Sequence, residues 1–456
     1  MTQSAKRVPG RRATGGLRLI PALFALGLAA SAPSVASAET FQRILLGPGR
    51  HAYSELHVLG DSLIFYGAQG SIQPVLFATD GTQIGTRVVR SNFEIDSRGP
   101  PGAMVVLGDR AYFNAYTDGN EVWTTDGTPF GTFKLGGART DRLRYSWYYT
   151  PFGGRVYFVA NDEAHGSELW STTGMRESTH LAVDLVPGPA SSQPYGLMVH
   201  NDALFFFAQD QAQHLHWYRS DGTPQGTIAT GDVPATGAST PLIEVNGRIF
   251  FFGGGSFAQA WSTDGTTAGT YSLSAAESTD YQAGYCNGLV YFTGFESGIG
   301  SELMVTDGTV AGTHRVISPS SAENFQCIDG VMYFWGIGNN GYEQVWRSDG
   351  TAAGTVQRTD VFQFINQYLN EYFVEYHGQI YFTAAELSDT FGYELWVLDG
   401  SAEGAHRVSD LNPGDPDASP TFFTLFDDKL YFLAQGVGGW GLWRMTSDTP
   451  TDQRFR

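Results

Sequence analysis

Seven aspartates, Asp80, Asp126, Asp221, Asp264, Asp307, Asp349 and Asp399, each precede a glycine at a fixed place in a recurring stretch of the chain. A ring of carboxylates would bind cations or act as acid and base. Asp-Gly is also a turn signal, in which the Asp side chain accepts backbone N–H groups and Gly supplies positive φ, and this simpler account assigns all seven to structure. The ten histidines form no His-x-x-x-His or His-Glu-x-x-His pattern. His214 and His216 are one residue apart and can share a face, but two ligands are too few, so no metal site is expected. Calcium is the one cofactor with a candidate, the stretch Asp410-Leu411-Asn412-Pro413-Gly414-Asp415-Pro416-Asp417. It groups several oxygen ligands but lacks the Asp-x-Asp-x-Asp-Gly spacing and matches an ordinary connecting link. No Gly-x-Ser-x-Gly, phosphate loop or dinucleotide fingerprint lies in a strand-to-helix context, so no catalytic residue is assigned.

The elements that carry these residues are repeats. Trp261-Ser262-Thr263-Asp264-Gly265-Thr266-Thr267-Ala268-Gly269-Thr270 recurs in near copies opening at Phe77, Trp123, Trp170, Tyr218, Trp261, Met304, Trp346 and Trp396, at intervals of 42 to 50 residues, with a degenerate copy at Trp443. A second marker precedes each copy, an aromatic pair ending in Phe and followed two residues later by Gly or Ala, as in Phe251/Gly253 and Phe334/Gly336. Each unit then reads as four short strands, a to d. A tight polar turn such as Asn246-Gly247 joins a to b, and the Asp-Gly-Thr turn joins c to d. Strand b is apolar at successive positions, as in Ile249-Phe250-Phe251-Phe252, so both its faces must be covered. Radially packed sheets cover both faces where a sandwich does not. The fold expected is therefore all-β, a single β-propeller of four-stranded blades, with nine blades or, as the alternative, eight. The neighbour's Phe is expected to fill the space left by the Gly or Ala of the second marker. The last unit has no fourth strand, and Phe41 to Gly49 resembles a strand d without its a, b and c. Pairing the two ends would close the ring and remove its exposed edges.

Residues 1–38 have the parts of an export signal: basic Lys6, Arg7, Arg11, Arg12 and Arg18, an apolar run from Leu17, and Ala36-Ser37-Ala38 at the cleavage end. The expected organisation is signal peptide 1–38, propeller 39–446 and tail 447–456, a secreted product with no transmembrane segment after signal removal. A net charge of −19 excludes a nucleic-acid partner. With 57 glycines, 14 % aromatic and only 16 % charged residues, the composition suits Gly-rich turns and aromatic strands. Cys286 and Cys327 fall in corresponding segments of adjacent repeats and form a disulfide candidate.

Gly166-Ser167-Glu168-Leu169-Trp170, Gly300-Ser301-Glu302-Leu303 with Thr306-Asp307-Gly308-Thr309, and Tyr393-Glu394-Leu395-Trp396 with Asp399-Gly400 resemble the ELWxxDGT repeat of exported bacterial proteins, sometimes labelled hyalin-like. The resemblance covers nearly all of the chain after residue 38. It departs in the third unit, where Thr173 replaces the Asp and Ser178 the second Gly, and in the first, where Phe77 replaces the Trp. It implies an exported, propeller-like repeat protein and brings no catalytic residues.

Function is expected at the variable b-to-c and d-to-a loops, at the end of the sheets opposite the Asp-Gly-Thr turns. Trp147, Tyr148, Asp162, Glu163, His165, Tyr281 and Phe364 are the ligand-binding candidates there. Aromatics with carboxylates suit a sugar or a peptide, so the expected function is a non-enzymatic repeat protein binding a protein or glycan. The alternatives are a hydrolase or lyase of extracellular polysaccharide that uses Asp162 and Glu163, and a structural surface or matrix component.

Overall fold

The structure, a computed structural model, describes residues 39–447 except for internal stretches, the longest of which are 94–103, 140–148, 233–239 and 365–372. The chain divides into two units, Met1–Ala38 and Glu39–Arg456. The first, where a signal peptide is expected, lies outside the described residues, as does 448–456 of the tail.

Apart from one short 3-10 turn, Arg176–Ser178, the described regular structure is β-strand. The strands form seven sheets, three of four strands, two of five and two of eight. One repeat shows the common plan: Tyr195–His200, Ala203–Gln209, Leu215–Ser220 and Ile228–Asp232 pair in chain order, each antiparallel to the next. Each five-stranded sheet is the same plan with strand a in two pieces, as where Arg50–Ala52 and His57–Leu59 both pair with Ser62–Gln69. The eight-stranded sheets are two such groups joined by a single residue pair, Arg139 with Asn161 and Glu277 with Phe295. The N-terminal strand Glu39–Arg43 runs antiparallel to Gly439–Ser447, Glu39 opposite Ser447, and is the fourth strand of the group that ends the chain.

Strand b supplies the core. Phe250, Phe251 and Phe252 are all fully buried, as are Leu204, Phe206 and Phe207. Their rings meet those of strand b in the next repeat: Phe207 and Phe251 lie 5.8 Å apart, Phe250 and Phe292 5.3 Å, Trp335 and Phe382 5.6 Å. Each such side chain contributes roughly 1.5–3 kcal/mol of burial free energy. Tyr431 and Leu433 of the last repeat share one cluster with Leu63 and Phe65 of the first.

The small residue of the second marker has a different neighbour from the one expected. A Cβ on Gly336 would meet Pro319 at 2.4 Å and Trp346 of its own repeat at 3.3 Å, and one on Gly294 would meet Met304, its own repeat's counterpart of that Trp, at 2.8 Å. The indole N–H of Trp261, Trp346 and Trp443 donates to the carbonyl of Gly253, Gly336 and Ala434 respectively, at 3.1–3.2 Å. Because Phe334 stands opposite Trp346 in the ladder, the indole slants across its own strand b and needs the space two residues on.

The Asp-Gly-Thr turn is a closed set of hydrogen bonds. Asp264 Oδ1 accepts the backbone N–H and the hydroxyl of Thr266 at 2.9 and 2.7 Å. Thr266 Oγ1 in turn accepts the N–H of Gly269 at 3.0 Å. Thr270 donates its hydroxyl to the carbonyl of Thr266 at 2.6 Å, and Thr263, buried, bonds Thr270 at 2.7 Å while accepting the N–H of Gly265. Gly265 has φ +90. Asp80, Asp126, Asp221, Asp307 and Asp349 repeat the aspartate contacts. Hydrogen bonds from Thr82, Thr223 and Thr351 hold Asp80, Asp221 and Asp349 below the usual carboxylate value. Their stabilising contribution is present above the unfolded-state pKa and is lost as pH falls through the depressed folded values. Asp399 stands apart: residues 400–403 lie outside the described residues, and its carboxylate meets His406 Nδ1 at 2.5 Å.

The two glycines of the motif have separate reasons. A Cβ on Gly269 would lie 2.0 Å from Asp264 Oδ1, and those on Gly85, Gly131, Gly226, Gly312 and Gly354 would strike their own aspartates as closely. The first glycine seats the turn on the preceding repeat. A Cβ on Gly222 would meet Tyr157 Oη at 2.0 Å, and one on Gly265 would meet Phe205 at 2.6 Å. For the first repeat the neighbour is the last one: Gly81 faces Tyr431 Oη, and Arg444 Nη1 donates to the Gly81 carbonyl at 3.0 Å.

The third repeat lacks both the Asp and the second Gly, and the structure explains why these changes go together. Ser178 Oγ accepts the N–H of Met175 at 3.3 Å and that of Thr173 at 3.1 Å, so a hydroxyl on the far residue replaces the missing carboxylate. In the third repeat the glutamate of the motif ties down the link that follows strand d. Glu168 is buried and accepts the N–H and hydroxyl of Ser192 and the N–H of Leu185, at 2.8, 2.5 and 3.0 Å. Burial raises its pKa despite these bonds. Gln344 does the same work without charge, donating to the Phe362 carbonyl at 2.8 Å and accepting from Thr359 at 3.0 Å.

Cys286 and Cys327 are joined in a disulfide across adjacent repeats, with Cα atoms 5.2 Å apart.

Three outcomes are expected in thermal denaturation. Gly269→Ala and Asp264→Thr alone each destabilise by about 1–3 kcal/mol, through overpacking and a lost turn acceptor respectively. Combining Asp264→Thr with Gly269→Ser, the pairing of the third repeat, recovers part of that loss, and a strictly additive double variant would contradict the exchange. Replacing both Cys286 and Cys327 with Ala costs roughly 2–4 kcal/mol, the range for closing a loop of this size.

Candidate functional site

Antiparallel pairing puts the b-to-c and d-to-a loops at the sheet ends away from the Asp-Gly-Thr turns. Among the expected binding residues, Trp147 and Tyr148 lie outside the described residues, and Phe364 lies in the strand Phe362–Phe364, its side chain not described. Tyr281, half-buried, packs against the core, its ring edge-on to Phe252 at 5.9 Å. Tyr149, beside the expected pair, is likewise turned inward. Its hydroxyl donates to Asn114 Oδ1, and burial raises its pKa. Aromatics in these loops therefore cap the sheet ends where the structure describes them.

Asp162 and His165 are brought together, and Glu163 is not part of the contact. Strand b, Arg155–Asp162, ends on Asp162, and strand c, Gly166–Thr172, begins directly after His165. The tight hairpin exists because Asp162 Oδ1 accepts the N–H groups of Ala164 and His165, at 3.0 and 2.7 Å, and Gly166 takes φ +68. Only glycine fits at 166, since a Cβ there would lie 2.3 Å from the Ala190 carbonyl oxygen. The turn folds the imidazole back so that His165 Nδ1 lies 2.9 Å from both carboxylate oxygens of Asp162. Glu163 points to solvent beside the pair.

The pair polarises itself. The hydrogen bond that His165 donates to Asp162 raises the imidazole above its ordinary value, against partial desolvation. Desolvation pushes Asp162 up, but the bonds from His165 outweigh it and hold the carboxylate below its usual value. With Nδ1 engaged by the carboxylate, Nε2 is the nitrogen available to a proton on another molecule, the orientation a carboxylate imposes on a general-base imidazole. For stability, a raised histidine contributes fully below its unfolded pKa, and the contribution is lost as pH rises through the folded value.

Part of this arrangement was visible in the spacing, since Asp162 and His165 are three apart in a loop. Sequence reasoning paired Asp162 with Glu163 as acid and base, whereas the structure pairs it with His165. The calcium candidate is described only in part, because 414–416 lie outside the described residues. Asp417 there accepts the N–H of Tyr393 at 3.0 Å, and Asn412 donates to the Asp417 carbonyl at 3.3 Å.

In NMR titration His165 is expected to protonate with a midpoint above about 6.5, the ordinary imidazole value. Asp162→Asn should return it toward that value, and an unchanged midpoint would show that the pair does not form in solution.

No protein-family model and no curated protein matches the chain. Among solved structures it is similar to a puromycin hydrolase, at 12 % identity and TM-score 0.40 over 85 % of this chain and 59 % of that one. It is similar to a prolyl endopeptidase at 11 % identity and TM-score 0.41, over 75 % of this chain and 55 % of that one. It is also similar to the β-propeller domain of the trilobed protease from Pyrococcus furiosus, at 10 % identity and TM-score 0.35 over 81 % of this chain and 98 % of that domain. The chain thus spans less than two thirds of the length of the first two enzymes. Two of these neighbours are named as enzymes, a puromycin hydrolase and a prolyl endopeptidase, and against them the expectation of a non-enzymatic repeat protein binding a protein or glycan is withdrawn. The likeness, at 10–12 % identity, assigns no activity to this chain.

Proposed function

We propose that residues 39–447 form one closed β-propeller of nine four-stranded blades, exported by a signal peptide at 1–38, and that this ring has a hydrolytic function in which Asp162 and His165 move a proton. Three features support the ring: the repeated four-stranded plan, the seating of the described first glycines on the preceding repeat, and the Gly81, Tyr431 and Arg444 contacts between first and last repeats. The ELWxxDGT resemblance is in keeping with it.

The observation that carries the hydrolytic reading is the Asp162–His165 pair at 2.9 Å on a rigid hairpin end. In this mechanism Asp162 fixes the Nδ1–H tautomer and stabilises the imidazolium. Nε2 then takes a proton from water as the water attacks a carbonyl carbon, and afterwards returns it to the leaving group. The acidic charge of the chain, −19, disfavours polyanionic substrates, so the substrate class proposed is an uncharged or cationic ester or peptide.

A panel of chromogenic esters and fluorogenic peptides tests this with the full chain. Turnover is expected to rise with pH through a midpoint above about 6.5 and to fall roughly 100-fold or more in His165→Ala without loss of melting temperature. Asp162→Asn should move the midpoint down. No turnover across the panel, or an unchanged rate in His165→Ala, overturns the reading.

A further inference from the structure

We infer that Asp210, His214 and His216 form a binding site for a divalent first-row transition ion of the zinc class. The site lies on the b-to-c loop of the fourth repeat, between Ala203–Gln209 and Leu215–Ser220, and does not depend on the hydrolytic reading. Two histidines alone are too few for a zinc site, but the loop brings Asp210 to them. Its Oδ2 lies 3.3 Å from His216 Nε2 and 3.7 Å from His214 Nδ1, and one ligand atom from each residue falls within 4.8 Å of the others. Ligands bonded at about 2.0–2.1 Å in a tetrahedron stand about 3.3–3.4 Å apart, so these donors are close to the separation such an ion imposes.

The carboxylate is held ready. Its Oδ1 accepts the N–H groups of Ala212 and His214 at 2.8 and 2.9 Å, which leaves Oδ2 turned toward the imidazoles. The loop is closed behind it by Asp210 N–H to the His214 carbonyl at 3.0 Å and Gln213 N–H to the Asp210 carbonyl at 2.9 Å. His216 is anchored by the sheet, opposite Ala208 in the ladder and edge-on to Tyr218 at 6.3 Å. His214 is 74 % exposed, so the outer side of the cluster is open to water. Two imidazoles and one carboxylate favour zinc, copper or nickel over calcium or magnesium, and three protein ligands with an open position are the pattern of zinc sites that keep a water.

Titration of the untagged full chain with Zn2+ alone, followed by calorimetry, tests the site. One equivalent is expected to bind and to raise the melting temperature. Co2+ in its place should give the visible absorption of a low-coordinate histidine site, and excess Ca2+ should not displace either ion. His214→Ala is expected to weaken Zn2+ binding at least tenfold, as are Asp210→Asn and His216→Gln. The exposed position of His214 makes its variant decisive should a substitution at His216 disturb the sheet. Absence of stoichiometric Zn2+ uptake, or unchanged affinity in His214→Ala, overturns the assignment.

Discussion

In each turn between the outer two strands, one small space is contested by the aspartate carboxylate and by whatever side chain the sixth residue of the turn carries. With Asp264 in place, a Cβ on Gly269 would sit 2.0 Å from its oxygen, so the second glycine is an exclusion imposed by the first residue. The carboxylate must be there because the backbone N–H of Thr266 has no helix or ladder to enter and takes its bond from Oδ1. The threonines then complete the set, each hydroxyl accepting one bond and donating another. Four side-chain groups thus fix one backbone geometry, and positions 267 and 268, which lie outside this side-chain set, differ from copy to copy. In the third repeat Ser178 supplies its own oxygen and the aspartate is gone, so the constraint is met from the other side.

That turn also sets how repeats stack. The first glycine lies against strand b of the preceding repeat, where Tyr157, Phe205 or Tyr431 comes as close as a bare α-carbon allows. The aromatic run of strand b is buried on both faces by this arrangement, one face by its own strand and neighbours and the other by the next repeat. At the opposite sheet ends Glu168, Gln344 and Glu394, each two residues before a Trp, anchor the link that follows strand d. Uncharged Gln344 makes comparable bonds to those of buried, raised Glu168, so in these two repeats hydrogen bonding does the anchoring without need of charge.

At the sheet ends away from these turns lie the loops between strands b and c. Two of these hairpins present histidine against aspartate, Asp162 with His165 and Asp210 with His214 and His216. In both, one oxygen of the aspartate accepts backbone N–H groups of the loop and so tightens it. The residue that shapes the hairpin is therefore also the one that orients the imidazole.

The aromatic loop residues were the misleading signal. Tyr281 and Tyr149 have the composition of a ligand-binding rim, but the same ring serves equally to cover a sheet end, and residue type does not separate the two. The Phe-x-Gly marker was legible as a space and misassigned as to its occupant, because which indole crosses which strand depends on ladder register. The chain's period, its strand-forming runs and the turn chemistry at Asp264 to Thr270 follow from the sequence alone, since they rest on contacts within about ten residues. That the N-terminal strand joins the last repeat was expected from the sequence, but tertiary structure alone decided the register that sets Glu39 against Ser447, that Gly81 meets Tyr431, and that Asp210 turns one oxygen toward His214 and His216. Those outcomes depend on where a chain returns in space and which way a side chain faces when it does, and neither is written in local spacing.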